Sequence, residues 1–184
     1  MSRKHNVFLS YYHEQDQRYK DRFVRMMGDN IVDKSVDLGD IIDDNLPTEA
    51  VLQRIREDHI AQVSVTIVLI GPCTWQRKYV DWEIGASLRD TQHNPRCGLL
   101  GILLPEHPDF QRPEYSARLI PPRLADNCDG DNSFAQIRDW TRNVEETRTW
   151  IHEAFLRRRK QPDPNNSRLP FGRNWNGDCV RGWQ

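Results

Sequence analysis

The sequence predicts a three-layer α/β fold, in which a mostly parallel central sheet carries helices on both faces. The first observation is the nearly continuous β-branched run from Val63 to Ile70, which is typical of a strand buried on both sides. The second is a similar apolar run from Cys97 to Leu104. The third is the alternation of strand-type runs with segments of helical periodicity along the chain, because such alternation favours parallel strands joined by crossover helices.

The N-terminal part repeats this alternation. The segment Val7–Tyr11 predicts a short buried first strand, and residues 12–16 predict a polar loop. A helix follows, and Gly28 ends it because glycine tolerates the left-handed backbone at a helix end. The apolar residues of this helix recur at helical spacing and are Tyr19, Phe23, Met26 and Met27.

Residues 31–47 predict a polar connection, after which Thr48 begins a second helix as a candidate N-cap. Gly71–Pro72 ends the central strand, and the helix after it buries residues spaced by four. The buried faces of these two helices are predicted to be Val51, Leu52, Ile55 and His59 in one, and Val80, Ile84 and Leu88 in the other.

The C-terminal half predicts a loop-rich segment over residues 105–132, a short edge strand over 134–137 and a last helix over 141–160. Residues 161–184 are rich in Pro, Asn and Gly, yet they contain three large aromatic residues. We therefore expect one domain over residues 1–160, followed by an extension over 161–184 that is partly docked on it.

Composition narrows the classes of function. The formal net charge is −1, so the bulk positive charge that nucleic-acid binding needs is missing. No apolar run reaches membrane-spanning length, and no leader peptide is visible. The four cysteines lack zinc spacing, which indicates free thiols in a reducing cytoplasm.

Glu83 is the candidate functional residue that the pattern singles out. It lies on the helix that follows the central strand, and in open α/β sheets ligands bind at the carboxyl ends of the strands. Tyr79 lies one turn earlier on the same face, so Glu83 is expected at the border between core and cleft. The competing interpretation is an ordinary boundary glutamate paired with Arg77 or Lys78.

Two other groups of residues offer weaker hypotheses. Ser10, Tyr11 and Tyr12 end the first strand, where they could form a wall for a ribose or base, or simply pack at the sheet edge. The acidic residues between 33 and 44 could suggest a metal site, but the first strand ends without the paired carboxylates that would bind magnesium. A solvated loop is therefore the preferred interpretation, and no metal is predicted.

The segment from Thr74 to Ile84 carries a family resemblance. It reads Thr-x-x-Arg-x-aromatic-Val-x-aromatic-Glu-Ile, and it follows strands reading Val7–Tyr11 and Ser64–Gly71. This order resembles the TIR-like domains of the bacterial Thoeris antiphage protein ThsB over roughly residues 5–160. One departure is Tyr79, where TIR enzymes often carry tryptophan. The resemblance implies the flavodoxin-like or TIR-like version of the predicted fold.

The resemblance also implies a function, namely cleavage of NAD to a cyclic or otherwise modified ADP-ribose that activates a separate effector after a phage-derived trigger. Glu83 would be catalytic, NAD would be the substrate rather than a cofactor, and the connection at 36–46 would serve self-association. The rival class is a non-catalytic TIR-like or receiver-like module that signals by contact. The substrate-binding residues implied are Ser10, Tyr11, Arg77 and Tyr79.

Overall fold

The computed structural model describes residues 4–34, 47–91, 94–128, 130 and 133–184. It confirms the predicted α/β class, because five parallel strands form a single sheet in the order β2-β1-β3-β4-β5. The strands are β1 His5–Ser10, β2 Ile31–Asp33, β3 Val65–Ile70, β4 Gly98–Leu103 and β5 Ala135–Asp139.

The strand order has a switch point between β1 and β3. The chain passes from β1 outward to β2 and then returns to place β3 on the other side of β1. Crossovers on either side of such a point leave opposite faces of the sheet, which opens a crevice at the carboxyl ends of the two strands. Ser10 ends β1 and Gly71 follows β3, so both residues lie at this crevice.

Helices cover both faces of the sheet, as predicted. Alternate strand residues point to opposite faces, so Val65, Ile67 and Leu69 pack against the first and last helices, whereas Val68 and Ile70 pack against the third and fourth. The second helix packs with Phe8 in a third cluster. The helices are α1 His13–Met27, α2 Thr48–Arg54, α3 Lys78–Leu88, α4 Pro122–Ala125 and α5 Val144–Arg157.

Three expectations about local structure were wrong. Residues 13–16 are helical rather than loop, since α1 begins at His13 with two acidic residues in its first turn, where the helix dipole favours negative charge. Strand β2 lies inside the predicted polar connection, and its three residues, of which only Ile31 is buried, are too few to show alternation. Helix α2 has Pro47 rather than Thr48 at its N-cap.

The C-terminal segment from residue 166 to residue 183, called the strap below, contains no helix or strand, yet it contacts the domain along its length. Asn166 donates to the carbonyl of Gly85 at 3.0 Å, and the Trp183 indole donates to the carbonyl of Ile120 at 3.0 Å. Because docking brings Cys179 back to Cys73, these two cysteines form a disulfide across 106 residues.

The expectation of four free thiols is therefore wrong for Cys73 and Cys179, while Cys97 and Cys128 are free. The Cys73–Cys179 contact could not be predicted, because the two cysteines are far apart in the sequence and only docking of the strap brings them together. Within the described part of the chain, none of the helices combines the length and apolar character that crossing a membrane requires.

Candidate active site

Two buried polar side chains, Ser10 and Glu83, pair at the crevice between β1 and β3. The hydroxyl of Ser10, at the end of β1, donates a hydrogen bond to Oε2 of Glu83 on α3. Ser10 is fully buried and Glu83 is 2% exposed. The helix geometry explains the pairing, because Val80 and Ile84 anchor α3 on the sheet and turn Glu83, which lies between them, toward the end of β1.

Burial controls the charge of Glu83. Desolvation raises the pKa of its carboxyl to about 8, and the hydrogen bond from Ser10 only partly opposes this rise. No cation in the described chain contributes to the shift. Glu83 is therefore protonated at neutral pH in this conformation, and a raised pKa of this kind is typical of carboxyl groups at functional sites.

Two sequence expectations about Glu83 need correction. It does not lie at an open border with the cleft, because α3 packs close enough to β1 to bury it completely. It also does not pair with Arg77 or Lys78, whose side chains extend toward aromatic rings instead. Sequence periodicity predicts the face of a helix on which a residue lies, but not how deeply the neighbouring strand buries that face.

A cavity of about 230 Å³ opens beside this pair, and its lining is mainly aromatic. Two of its lining residues are also close to the pair in the sequence, because Tyr11 follows Ser10 and Tyr79 precedes Glu83 by one helical turn. The full lining consists of Tyr11, Tyr12, His13, Glu14, Arg77, Tyr79, Val80 and Asn174. The lining thus includes three of the four predicted substrate-binding residues, Tyr11, Arg77 and Tyr79, but neither Ser10 nor Glu83.

Ring contacts hold the walls of this cavity. Tyr11 stacks on His13 with centroids 4.3 Å apart, and its hydroxyl donates to Gln17 at 2.6 Å. The guanidinium of Arg77 lies 4.3 Å from the centroid of the Tyr12 ring, a geometry that attracts the cation to the ring face. Flat rings beside a cation form a surface that suits a planar ligand.

Tyr79 lies between the cavity and the core. It is half-buried, lines the cavity, and packs edge-on against Trp82 with centroids 5.7 Å apart. It is also packed against the apolar cluster that includes Phe8. Tyr79 therefore contributes both to the wall of the cavity and to the packing of the core.

A second buried carboxyl at the same sheet edge went unnoticed in the sequence. Asp16 of α1 is 5% exposed, and the hydroxyl of Thr74 donates to it at 3.1 Å. Desolvation raises the pKa of Asp16 to about 6. Gly71 permits this approach, because a β-carbon there would lie 2.5 Å from the Asp16 carboxylate. The Gly71 break after the central strand was the one signal that could have indicated a close approach.

Asp81, two residues before Glu83, has a different environment. Arg123 of α4 donates to its carboxylate from Nε at 2.9 Å and from Nη2 at 3.2 Å. The backbone N–H of Phe171 in the strap adds a third hydrogen bond at 3.0 Å. Asp81 therefore joins three parts of the fold, and both of its carboxylate oxygens are engaged in hydrogen bonds.

The predicted self-association segment at 36–46 lies outside the described residues, so that hypothesis stays a prediction. The lining residue Asn174 was also missed, since it belongs to a strap whose sequence has no periodicity. The position of Asn174 in the cavity depends on docking between segments 96 residues apart in the chain.

The fold and the site define a class of protein. A parallel sheet with a switch point, an aromatic cavity at its carboxyl edge and a buried glutamate on the helix after the central strand are the features of a TIR-like α/β domain. The family model of the Thoeris protein ThsB, TIR-like domain, matches residues 8–109, which is more than half of the 184 residues. The chain belongs to this family. No curated protein matches it.

Proposed function

We propose that the protein cleaves the bond between ribose and nicotinamide in NAD, with Glu83 as the catalytic carboxylate. The observation that carries this proposal is the Ser10–Glu83 pair, which is buried at the switch point beside an aromatic cavity. Membership of a Thoeris TIR-like family supports it independently. Tyr11, Arg77 and Tyr79 line the cavity and are proposed to bind the substrate.

The chemistry explains how one carboxylate suffices. Ordinary glycosidases need a second carboxyl to protonate an alkoxide leaving group. In NAD the leaving group is a pyridinium, so the C1′–N bond breaks with its electron pair moving to nitrogen and releases neutral nicotinamide. Glu83 stabilises the positive charge that develops on the ribose. Water then forms the new C1′–O bond and loses a proton, or an atom of the same ADP-ribose attacks and forms a ring.

The proposal includes an activation step. Glu83 must be ionised and reachable to stabilise a cation, whereas in this conformation it is protonated and 2% exposed. A small shift of α3 away from β1 would both hydrate the carboxyl and lower its pKa. We propose that assembly or an infection-derived trigger produces this shift, and that the resulting modified ADP-ribose activates a separate effector of bacterial antiphage defence.

The first prediction tests catalysis by release of nicotinamide from NAD, measured at several protein concentrations. Glu83→Gln keeps the shape of the side chain but removes its charge, so we expect the rate to fall by about a hundredfold or more. Glu114→Gln is the matched control, because Glu114 is exposed on the loop after β4 and leaves the site unchanged. An active Glu83→Gln protein would refute the assignment.

The burial of Glu83 also favours a second candidate function. A non-catalytic TIR-like module that signals through contacts needs no accessible carboxylate, and a buried protonated glutamate bonded to Ser10 then serves only to join α3 to β1. This candidate predicts no nicotinamide release under any condition of assembly. It also predicts that Glu83→Gln retains signalling in infected cells, whereas the enzymatic proposal predicts its loss.

A further inference from the structure

The strap is fixed along the segment that leads into α3. The Trp75 indole donates to the carbonyl of Cys179 at 2.9 Å, and Trp175 donates its backbone N–H to the carbonyl of Gln76 at 2.9 Å. Further along, the Trp82 indole donates to the carbonyl of Phe171 at 2.8 Å. The Cys73–Cys179 disulfide closes this series of contacts. Strap residues between these points therefore have defined positions relative to the cavity.

Asn174 lies between these anchors and reaches the cavity wall. Its Oδ1 accepts a hydrogen bond at 2.9 Å from the backbone N–H of Lys78, the first residue of α3. Among the residues that the structure describes, none accepts a hydrogen bond from its Nδ2 group. The contact with Lys78 thus fixes the orientation of the amide, while its Nδ2 donor and the second lone pair of Oδ1 remain available to a ligand in the cavity.

We propose that Asn174 is a substrate-binding residue that determines specificity, supplied to the cavity by the strap outside the family-matched residues 8–109. This inference rests on the proposed function, because it assumes that the cavity beside Glu83 receives part of NAD. A cavity of about 230 Å³ is smaller than the range of about 300–1,000 Å³ usual for complete ligands. It therefore holds one ring system of the dinucleotide.

The chemistry of an asparagine amide defines what it recognises. A fixed amide offers a donor and an acceptor side by side, which matches a planar ring whose edge presents the complementary pair. Adenine presents this pair through its amino group and N7, as asparagine–adenine pairs in nucleic-acid recognition show. The carboxamide of nicotinamide presents the same pair. The aromatic walls formed by Tyr12 and Tyr79 suit either ring.

The second prediction is tested by calorimetric binding of NAD and two analogues at pH 6, where Glu83 is protonated and cleavage is slowest. Nicotinamide hypoxanthine dinucleotide alters only the adenine edge, and nicotinic acid adenine dinucleotide alters only the carboxamide. Wild type should bind one of the two analogues about three- to tenfold more weakly than NAD, the effect of one lost hydrogen bond. The analogue that loses affinity identifies the ring in the cavity.

Substitutions then assign this discrimination to Asn174. Asn174→Ala should weaken NAD binding about three- to tenfold and abolish the difference between NAD and that analogue, as a double-mutant cycle requires for a direct contact. Asn174→Asp keeps the acceptor for the Lys78 N–H but removes the donor, so it should weaken binding as well. Asn176→Ala is the matched control, since Asn176 is exposed on the same strap.

Each outcome separates the inference from the proposed function. If Asn174→Asp binds NAD as wild type does, Asn174 only caps α3 and the inference is wrong, while NAD binding itself stands. Unchanged discrimination in Asn174→Ala leads to the same conclusion. If wild type binds neither NAD nor the analogues, both the inference and the proposed substrate are wrong. Should Asn174→Ala fail to fold, Asn174→Asp carries the test.

Discussion

Helix α3 carries two buried carboxyl groups, two residues apart, whose surroundings are opposite. Asp81 is 1% exposed and receives three hydrogen bonds, two of them from the guanidinium of Arg123. Glu83 is 2% exposed and receives one hydrogen bond, from the neutral hydroxyl of Ser10. Asp81 is thus paired with a buried cation, whereas Glu83 has none and burial holds it in its protonated form.

This difference distinguishes a structural group from a candidate functional one. A buried charge with a complete set of partners holds the fold together, and its removal leaves the partner charge uncompensated. A buried carboxyl without a cation opposes folding once it ionises, so the fold alone does not explain it. Such uncompensated groups cluster at sites where a protein needs a reactive carboxyl. The comparison therefore assigns Asp81 to stability and supports the proposal that Glu83 is the functional carboxyl.

The third prediction breaks the structural half of the comparison. Asp81→Asn leaves the Arg123 guanidinium buried without an anion, so we expect the free energy of unfolding to fall by about 3–5 kcal/mol. Chemical denaturation measures this change. The control is Asp126→Asn, which breaks the more exposed ion pair with Arg168 of the strap and should cost about 1 kcal/mol or less. If the two variants lose similar amounts of unfolding free energy, the buried Asp81–Arg123 pair contributes no more to stability than the more exposed one.

The fourth prediction sharpens the functional half through the pH dependence of stability. The pKa of Glu83 is raised from 4.5 to about 8 on folding, so its contribution to stability is complete below pH 4.5 and is lost as pH rises through 8. Between these values the free energy of unfolding of wild type should fall relative to that of Glu83→Gln. The slope should approach about 1.4 kcal/mol per pH unit.

Asp16 titrates in both proteins, with a pKa raised to about 6, so the difference between wild type and Glu83→Gln isolates Glu83. If the stability curves of wild type and Glu83→Gln run parallel from pH 5 to pH 8, Glu83 is hydrated in solution and not buried.

The sequence was sufficient for the parts of this molecule that depend on local pattern. The long apolar run of β3 predicted a central strand, and the spacing of Val80, Ile84 and Leu88 predicted the buried face of α3. Together they placed Glu83 near the carboxyl edge of the sheet. Short β2 was missed because three residues cannot show a period.

Features that depend on distant contacts could not be predicted. The burial of Glu83 depends on how closely α3 packs against Ser10, which lies 73 residues before Glu83 in the sequence. The strap has neither helical nor strand periodicity, so nothing in its sequence indicated that Asn174 reaches the cavity or that Cys179 meets Cys73. Such contacts follow from the assembled fold rather than from any segment.

The most direct test of the central claim, that ionised Glu83 drives cleavage of NAD, is the pH profile of kcat/KM, which reports the pKa of the essential group in the free enzyme. For the protein without its trigger, in which α3 still buries Glu83, we predict that kcat/KM rises about tenfold per pH unit below pH 8 and levels off above it, following the pKa of about 8. Ser10→Ala should move the rise to higher pH, because the Ser10 hydrogen bond lowers that pKa. A profile that is flat from pH 6 to pH 9, or unchanged in Glu83→Gln, would contradict the claim.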